Sequence, residues 1–173
     1  MIEFRRAEPD DAVGMASVHV GVWRSAYAGI LPDDYLAGLS LPRQAHGYLE
    51  GMTDGRVAYV AVAERKVIGF VTADRSGAGL ADGEIHTLYV HDDWRERGVG
   101  RSLVQRTAAR LARAGCRSVF VWVLRDNPSR WFYQRLGGRK AAESTVPVAG
   151  TSVAQTAYVW DPIELLLPAA AQP

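Results

Sequence analysis

The sequence predicts one α/β domain built on a mixed sheet. Three observations carry that prediction. Apolar residues recur at helical spacing through residues 13–27, and a second helical stretch spans 98–114. Between them the period changes to β-rich runs at 57–64 and 67–74. Finally, SVFVWVL at 118–124 is a nearly continuous apolar run, as in a strand covered on both faces.

The elements follow in order. Residues 2–7, IEFRRA, alternate weakly and suit an edge strand. EPDD then starts a helix, with Pro9 early and Asp10 or Asp11 as N-cap. Val13, Ala16, Val20, Trp23 and Tyr27 form its core-facing stripe, and Gly29 and Pro32 break it. A short helix restarts at Pro32-Asp33-Asp34 and runs through Leu39. Pro42 interrupts again, and residues 43–52 suit a further short helix. The runs 57–64 and 67–74 read as a hairpin turning at Arg65-Lys66, although that pair is poor turn chemistry. Gly77, Gly79 and Gly83 mark a loop, and EIHTLYV, residues 84–90, is the next strand. Gly115 closes the 98–114 helix. A short helix at 129–136 ends at Gly137-Gly138. Two terminal strands near 139–146 and 153–160 are separated by Pro147 and Gly150. The tail PAAAQP is expected to fray. Neither a repeat nor a linker divides residues 1–173, so a single domain is expected.

Composition narrows the function. The chain is 48% hydrophobic and 23% charged, with net charge +1, so nothing global calls for nucleic acid or an anionic membrane. No apolar stretch approaches the roughly 20 residues of a membrane span. Residues 1–12 carry Arg5, Arg6, Asp10 and Asp11 without an apolar run, so no secretory leader is expected. The one cysteine, Cys116, allows no intrachain disulfide and points to a reducing cytoplasm. It reads as a small core residue. His19, His46 and His91 show no metal-ligand spacing, so no metal is expected.

The chemistry concentrates in WRERGVGRSLV, residues 94–104. A helix N-terminus presents free backbone N–H groups and the positive dipole end, which attract anions. Glycine lets a bulky anion approach that backbone. Arginine adds charge and forked donors suited to phosphate. The stretch therefore reads as a pyrophosphate cradle. It is not a P-loop, because no Gly-Lys-Ser/Thr follows four intervening residues. It is not a dinucleotide fingerprint, because position 103 is Leu103 rather than glycine. A solvated turn would account for an isolated Gly-x-Gly, but this one follows a strand and opens a helix.

Arg95-Glu96-Arg97-Gly98-Val99-Gly100 has the form Arg-x-x-Gly-x-Gly and resembles the signature of the GNAT superfamily of N-acetyltransferases. Asn127 followed by Trp131-Phe132-Tyr133-Gln134-Arg135-Leu136-Gly137 is similar to that family's Asn…Phe-Tyr-x-x-Leu-Gly element. The opening RRAEPDDA resembles GNAT N-termini, so the likeness spans about residues 2–160. There are departures. The Asn127–Tyr133 interval is one residue short, Arg130 stands near a usual alanine, and Gly138 replaces a common phenylalanine.

The resemblance implies a mixed, mostly antiparallel central sheet flanked by helices, with a splay between the two central strands. It implies an acetyl-CoA-dependent enzyme that transfers acetyl to a primary amine by direct attack. The acceptor is a small molecule or a protein, and residues 23–50 cover it, with Trp23, Tyr27, Tyr35 and Tyr48 as lining candidates. Arg95, Arg97, Gly98, Val99, Gly100, Arg101 and Ser102 would hold the pyrophosphate, and Leu88, Tyr89 and Val90 the pantetheine arm. Asn127 joins the cofactor contacts, and Tyr133 would protonate the departing thiolate. An ammonium must lose a proton before it can attack, and Glu84 stands where the family often keeps its base. His86 is the second candidate, with a pKa naturally near neutrality. A homodimer is among the expected states. The rival reading is a non-catalytic module that senses acyl-CoA.

Overall fold

The computed structural model describes residues 1–77 and 79–169. Its seven strands are β1 (Glu3–Arg6), β2 (Val57–Ala63), β3 (Lys66–Arg75), β4 (Gly83–Val90), β5 (Val119–Leu124), β6 (Arg139–Val148) and β7 (Thr151–Trp160). Its helices are α1 (Ala12–Ala26), α2 (Asp33–Ala37), α3 (Leu41–Thr53), α4 (Val99–Arg113) and α5 (Ser129–Arg135). The sheet order is β1-β2-β3-β4-β5-β7-β6. The β1/β2, β2/β3, β5/β7 and β6/β7 pairs are antiparallel, whereas β4 and β5 run parallel. This is the mixed, mostly antiparallel sheet with flanking helices that the sequence predicts. Of the tail PAAAQP, residues 170–173 lie outside the described residues.

The contacts divide the chain into two compact units. The first comprises residues 1–73 and 87–107, the second 74–86 and 108–173. In the first, Met15, Val18 and Val22 of α1 pack on Ala58 and Val60 of β2 and Phe70 of β3. Tyr48 and Met52 of α3 and Tyr89 of β4 close over them. The helical stripe is thus real, but its first expected member is not part of it: Val13 is exposed, while Ala12 and Met15 are buried. The start of α1 is pinned by a carboxylate. Arg5 donates from Nη1 and Nη2 to Asp11 at 2.7 and 2.9 Å, and Glu8 N–H donates to Asp11 at 2.8 Å. Burial alone would raise the Asp11 carboxyl's pKa, but the Arg5 and Glu8 bonds outweigh it and hold the group low.

Two prolines sit inside elements rather than between them. Pro42 lies in the first turn of α3, where no intrahelical N–H is needed. Ser40 caps that turn by accepting from Arg43 N–H at 3.3 Å. Pro147 lies within β6, which ends the strand order, so its missing donor costs the sheet no interior bond. The β2–β3 hairpin turns at Glu64-Arg65, one residue earlier than expected. Both have positive φ, 51° and 64°, the backbone that a two-residue hairpin demands even without glycine or asparagine. Gly83 belongs to β4 rather than to the preceding loop.

The second unit has its own core. Phe120, Ala157 and Val159 pack with Trp122, Leu80, Ala81 and Ala142. Register is set by β5 against β7, from Val119↔Trp160 to Leu124↔Gln155. The β4/β5 pairing runs from Gly83↔Val119 to Ile85↔Val121. A 3-10 turn at Ile163–Leu166, unforeseen from sequence, buries Ile163 and Leu166.

Candidate active site

The basic loop emerges from β4 through a 3-10 turn at Asp92–Trp94. Arg95 is extended, Glu96 has φ 60° and Gly98 has φ 77°. Those positive angles reverse the chain so that α4 can begin at Val99. Ser102 N–H donates to the Gly98 carbonyl at 3.0 Å, the first bond of the helix. The N–H groups of Val99, Gly100 and Arg101 then precede any intrahelical acceptor. A Cβ built on Gly98 meets nothing within 4 Å, so glycine is present there for its backbone angle and for the space beyond it.

The three arginines of this loop are not equivalent. Arg95 is tied to Asp92 at 2.8 Å. The Arg97 guanidinium lies 5.0 Å over the Trp94 ring. Arg101 is exposed and has no side-chain partner among the described residues. Residues 91–102 also contain Asp92, Asp93 and Glu96, which offset the three arginines in formal charge. The loop therefore carries no net formal charge, and Arg101 is its uncommitted arginine.

Leu88, Tyr89 and Val90 form the end of β4, each half-buried. The Tyr89 hydroxyl accepts from Trp23 Nε1 at 2.9 Å, and burial pushes the phenol's pKa up to about 12. At the start of the strand, in the second unit, His86 Nδ1 and Glu84 Oε1 are 3.7 Å apart. The two candidate bases are thus neighbours, and both keep partial solvent access.

Within the second unit α5 carries Tyr133, which is buried. Its ring stacks on Tyr158 and meets Trp160 and Phe132 edge-on. Asn127 Oδ1 accepts from Ser129 N–H at 2.8 Å, a side-chain turn that leads into α5. Gly138, a departure from the family pattern, has a local cause. A Cβ there would stand 2.9 Å from both Trp160 Cζ2 and the Tyr133 carbonyl oxygen. Trp160 fills this space and donates from Nε1 to the Leu136 carbonyl at 3.0 Å. Cys116 is buried, as expected of a core residue, and burial raises its thiol pKa.

Sequence reasoning missed a polar chain in the first unit. His19 Nδ1 and the Tyr48 hydroxyl are 2.7 Å apart, Tyr48 is hydrogen-bonded to Thr87, and Thr87 and Thr72 hydroxyls are 2.6 Å apart. The His19 ring stacks on Tyr89 at 4.9 Å. Burial lowers its pKa to about 4, so the imidazole is neutral near pH 7.

A strand leads through a glycine turn into a helix on this mixed sheet, and known proteins give that fold a family. A sequence profile of the Acetyltransferase (GNAT) family matches residues 23–138. The chain is 32% identical to the uncharacterized N-acetyltransferase YuaI of Bacillus subtilis over 169 residues, covering 96% of each. Its fold matches a GCN5-related N-acetyltransferase from Rhodopseudomonas palustris with TM-score 0.73 at 19% identity, covering 92% of this chain and 94% of that one. It matches YncA of Salmonella typhimurium, whose structure holds acetyl-CoA, with TM-score 0.70 at 16% identity, covering 100% and 98%. The chain belongs to the GNAT family of acetyltransferases and is an acyltransferase.

Proposed function

We propose that residues 1–173 form one acetyltransferase domain that moves an acetyl group from acetyl-CoA to a primary amine by direct attack, in the cytoplasm. The observation that carries the reading is the turn at Glu96–Gly98, whose positive φ angles lead the chain from β4 and its 3-10 turn into the N-terminus of α4 at Val99. In this proposal Val99, Gly100 and Arg101 N–H groups and the Arg101 side chain hold the pyrophosphate, with Arg95, Arg97 and Ser102 around them. The backbone of Leu88-Tyr89-Val90 pairs with the pantetheine arm, the expected splay between β4 and β5 admits it, and Asn127 adds a cofactor contact.

Glu84, aided or replaced by His86, takes the ammonium proton. The freed nitrogen then attacks the thioester carbonyl. A C–N bond forms, the C–S bond breaks, and the leaving sulfur takes a proton from the Tyr133 hydroxyl, which solvent restores. Proximity of two groups able to share a proton supports the first role. The match of Tyr133 to the family element supports the second. The test pairs calorimetric titration with acetyl-CoA and thiol release over an amine panel. Gly98→Val should abolish binding in a folded protein; unchanged affinity would refute the cradle. Thiol release with an amine of the panel would rule out the rival reading of a non-catalytic acyl-CoA sensor.

A further inference from the structure

The chain of hydroxyls beside β4 ends in an unused donor. Each hydroxyl has one proton to give. With His19 neutral, the order that gives every hydroxyl proton an acceptor among the described residues runs from Thr72 to Thr87, from Thr87 to Tyr48, and from Tyr48 to His19 Nδ1; in the reverse order the Thr72 proton has none. A ring whose Nδ1 accepts must carry its proton on Nε2. Among the described residues Nε2 has no hydrogen-bond partner, and it is not sealed from solvent. The walls beside it are aromatic: Tyr89 stacks at 4.9 Å and Trp23 lies at 5.7 Å. Tyr89 belongs to the segment assigned above to the pantetheine arm, so this N–H sits one ring away from the proposed cofactor track.

We infer that His19 Nε2–H reads the acceptor, and that the acceptor is an amine carrying an uncharged carbonyl oxygen, as in an amino amide or a peptide. The inference rests on the transferase reading above. A polyamine offers only donors to this donor. A carboxylate would lose its hydration between aromatic rings without gaining a cation, because His19 is neutral. A carbonyl oxygen accepts one N–H and lies flat against the rings. His19 is thereby a specificity residue, and Tyr48, acting through Nδ1, is a positioning residue that fixes the tautomer.

The experiment measures kcat/KM at saturating acetyl-CoA for glycinamide, glycine, propylamine and putrescine, with acetyl-CoA affinity followed by calorimetry. Wild type should favour glycinamide over propylamine by about tenfold per free amine. His19→Phe keeps a ring in the stack and should bring that ratio near one with acetyl-CoA affinity unchanged. Tyr48→Phe should lower the ratio severalfold, chiefly through KM, and provides the test if His19→Phe does not fold. Comparing variant with wild type cancels the amines' own basicities. A wild-type ratio near one, a ratio retained in the variants, or faster turnover of glycine or putrescine than of glycinamide overturns the inference. Absence of turnover with glycinamide, with acetyl-CoA still bound, overturns the inference, whereas failure to bind acetyl-CoA overturns the reading on which it rests.

Discussion

Acidification should expose the cost of keeping His19 neutral. In the unfolded chain a histidine has a pKa of about 6.5. In the fold, burial lowers that of His19 to about 4. Between these values the unfolded chain binds the proton more readily, so stability falls as the pH drops from about 6.5 towards about 4. At pH 5 the linkage amounts to about 2 kcal/mol relative to pH 8, and about 1–2 kcal/mol once solvent at the ring's open edge is allowed for. The Asp11 carboxyl, held low by Arg5, loses its contribution only at lower pH, as protonation reaches a carboxylate. The pH 5–6.5 window lies above that loss, and comparison with a variant that lacks only His19 cancels the contributions of the other three histidines. The assay is urea unfolding of wild type and His19→Phe at pH 8 and pH 5. The variant starts less stable, because the Tyr48 hydroxyl loses its acceptor. Its further loss on acidification should nevertheless be smaller than that of wild type by about 1–2 kcal/mol. Equal losses in the two proteins would mean that the ring is not held neutral by burial, and the donor assignment to Nε2 would fall with it.

Other substitutions separate binding, chemistry and packing. Arg101→Ala should weaken acetyl-CoA binding by about 1–3 kcal/mol, because this side chain is uncommitted. Arg95→Ala should cost less, about 0–1 kcal/mol, since Arg95 must first leave Asp92; calorimetry ranks the two, and a reversed order refutes the assignment. Glu84→Gln should slow turnover about a hundred- to ten-thousandfold with acetyl-CoA affinity intact. Wild-type rates across the pH profile in both Glu84→Gln and His86→Ala would exclude both bases. Tyr133→Phe keeps the ring against Trp160 and should lower kcat under conditions where chemistry limits the rate; an undiminished kcat would leave Tyr133 a core aromatic. Gly138→Ala should destabilise the domain by about 1–3 kcal/mol, because the new methyl overlaps Trp160 and the Tyr133 carbonyl. A thermal midpoint equal to that of wild type would show that this corner yields freely.

What the sequence made legible follows from range. Helical and strand periods are local, so the α1 stripe, the β2–β3 runs and the apolar β5 could be read directly. The loop at 94–102 was readable because its glycines and arginines are adjacent. Features fixed by distant partners were not. Nothing near His19 announces a hydrogen bond to a tyrosine 29 residues away. Within an apolar helix stripe a histidine looks the same whether it is packed or aimed. The hairpin turn at Glu64-Arg65 was misplaced because neither residue favours positive φ locally, and the paired strands impose it. Gly138 looked like a departure without cause until Trp160 occupied the space.

The loop also shows how the parts of the proposed cradle differ in weight. Three acids share the same twelve residues as its arginines, and two of those arginines are already engaged. Exposed ion pairs and net charge contribute little in salt water. Backbone N–H groups at a helix start are different. They are held in place by the helix itself, carry the dipole's positive end and lose no side-chain freedom on binding. The positive φ at Gly98 is what turns the chain into α4, so in the proposed cradle the glycine matters more than the charge count beside it. His19 follows the same logic on the acceptor side. In the inference drawn above, its value to a substrate comes from a neutral N–H whose direction Tyr48 and Thr87 fix in advance.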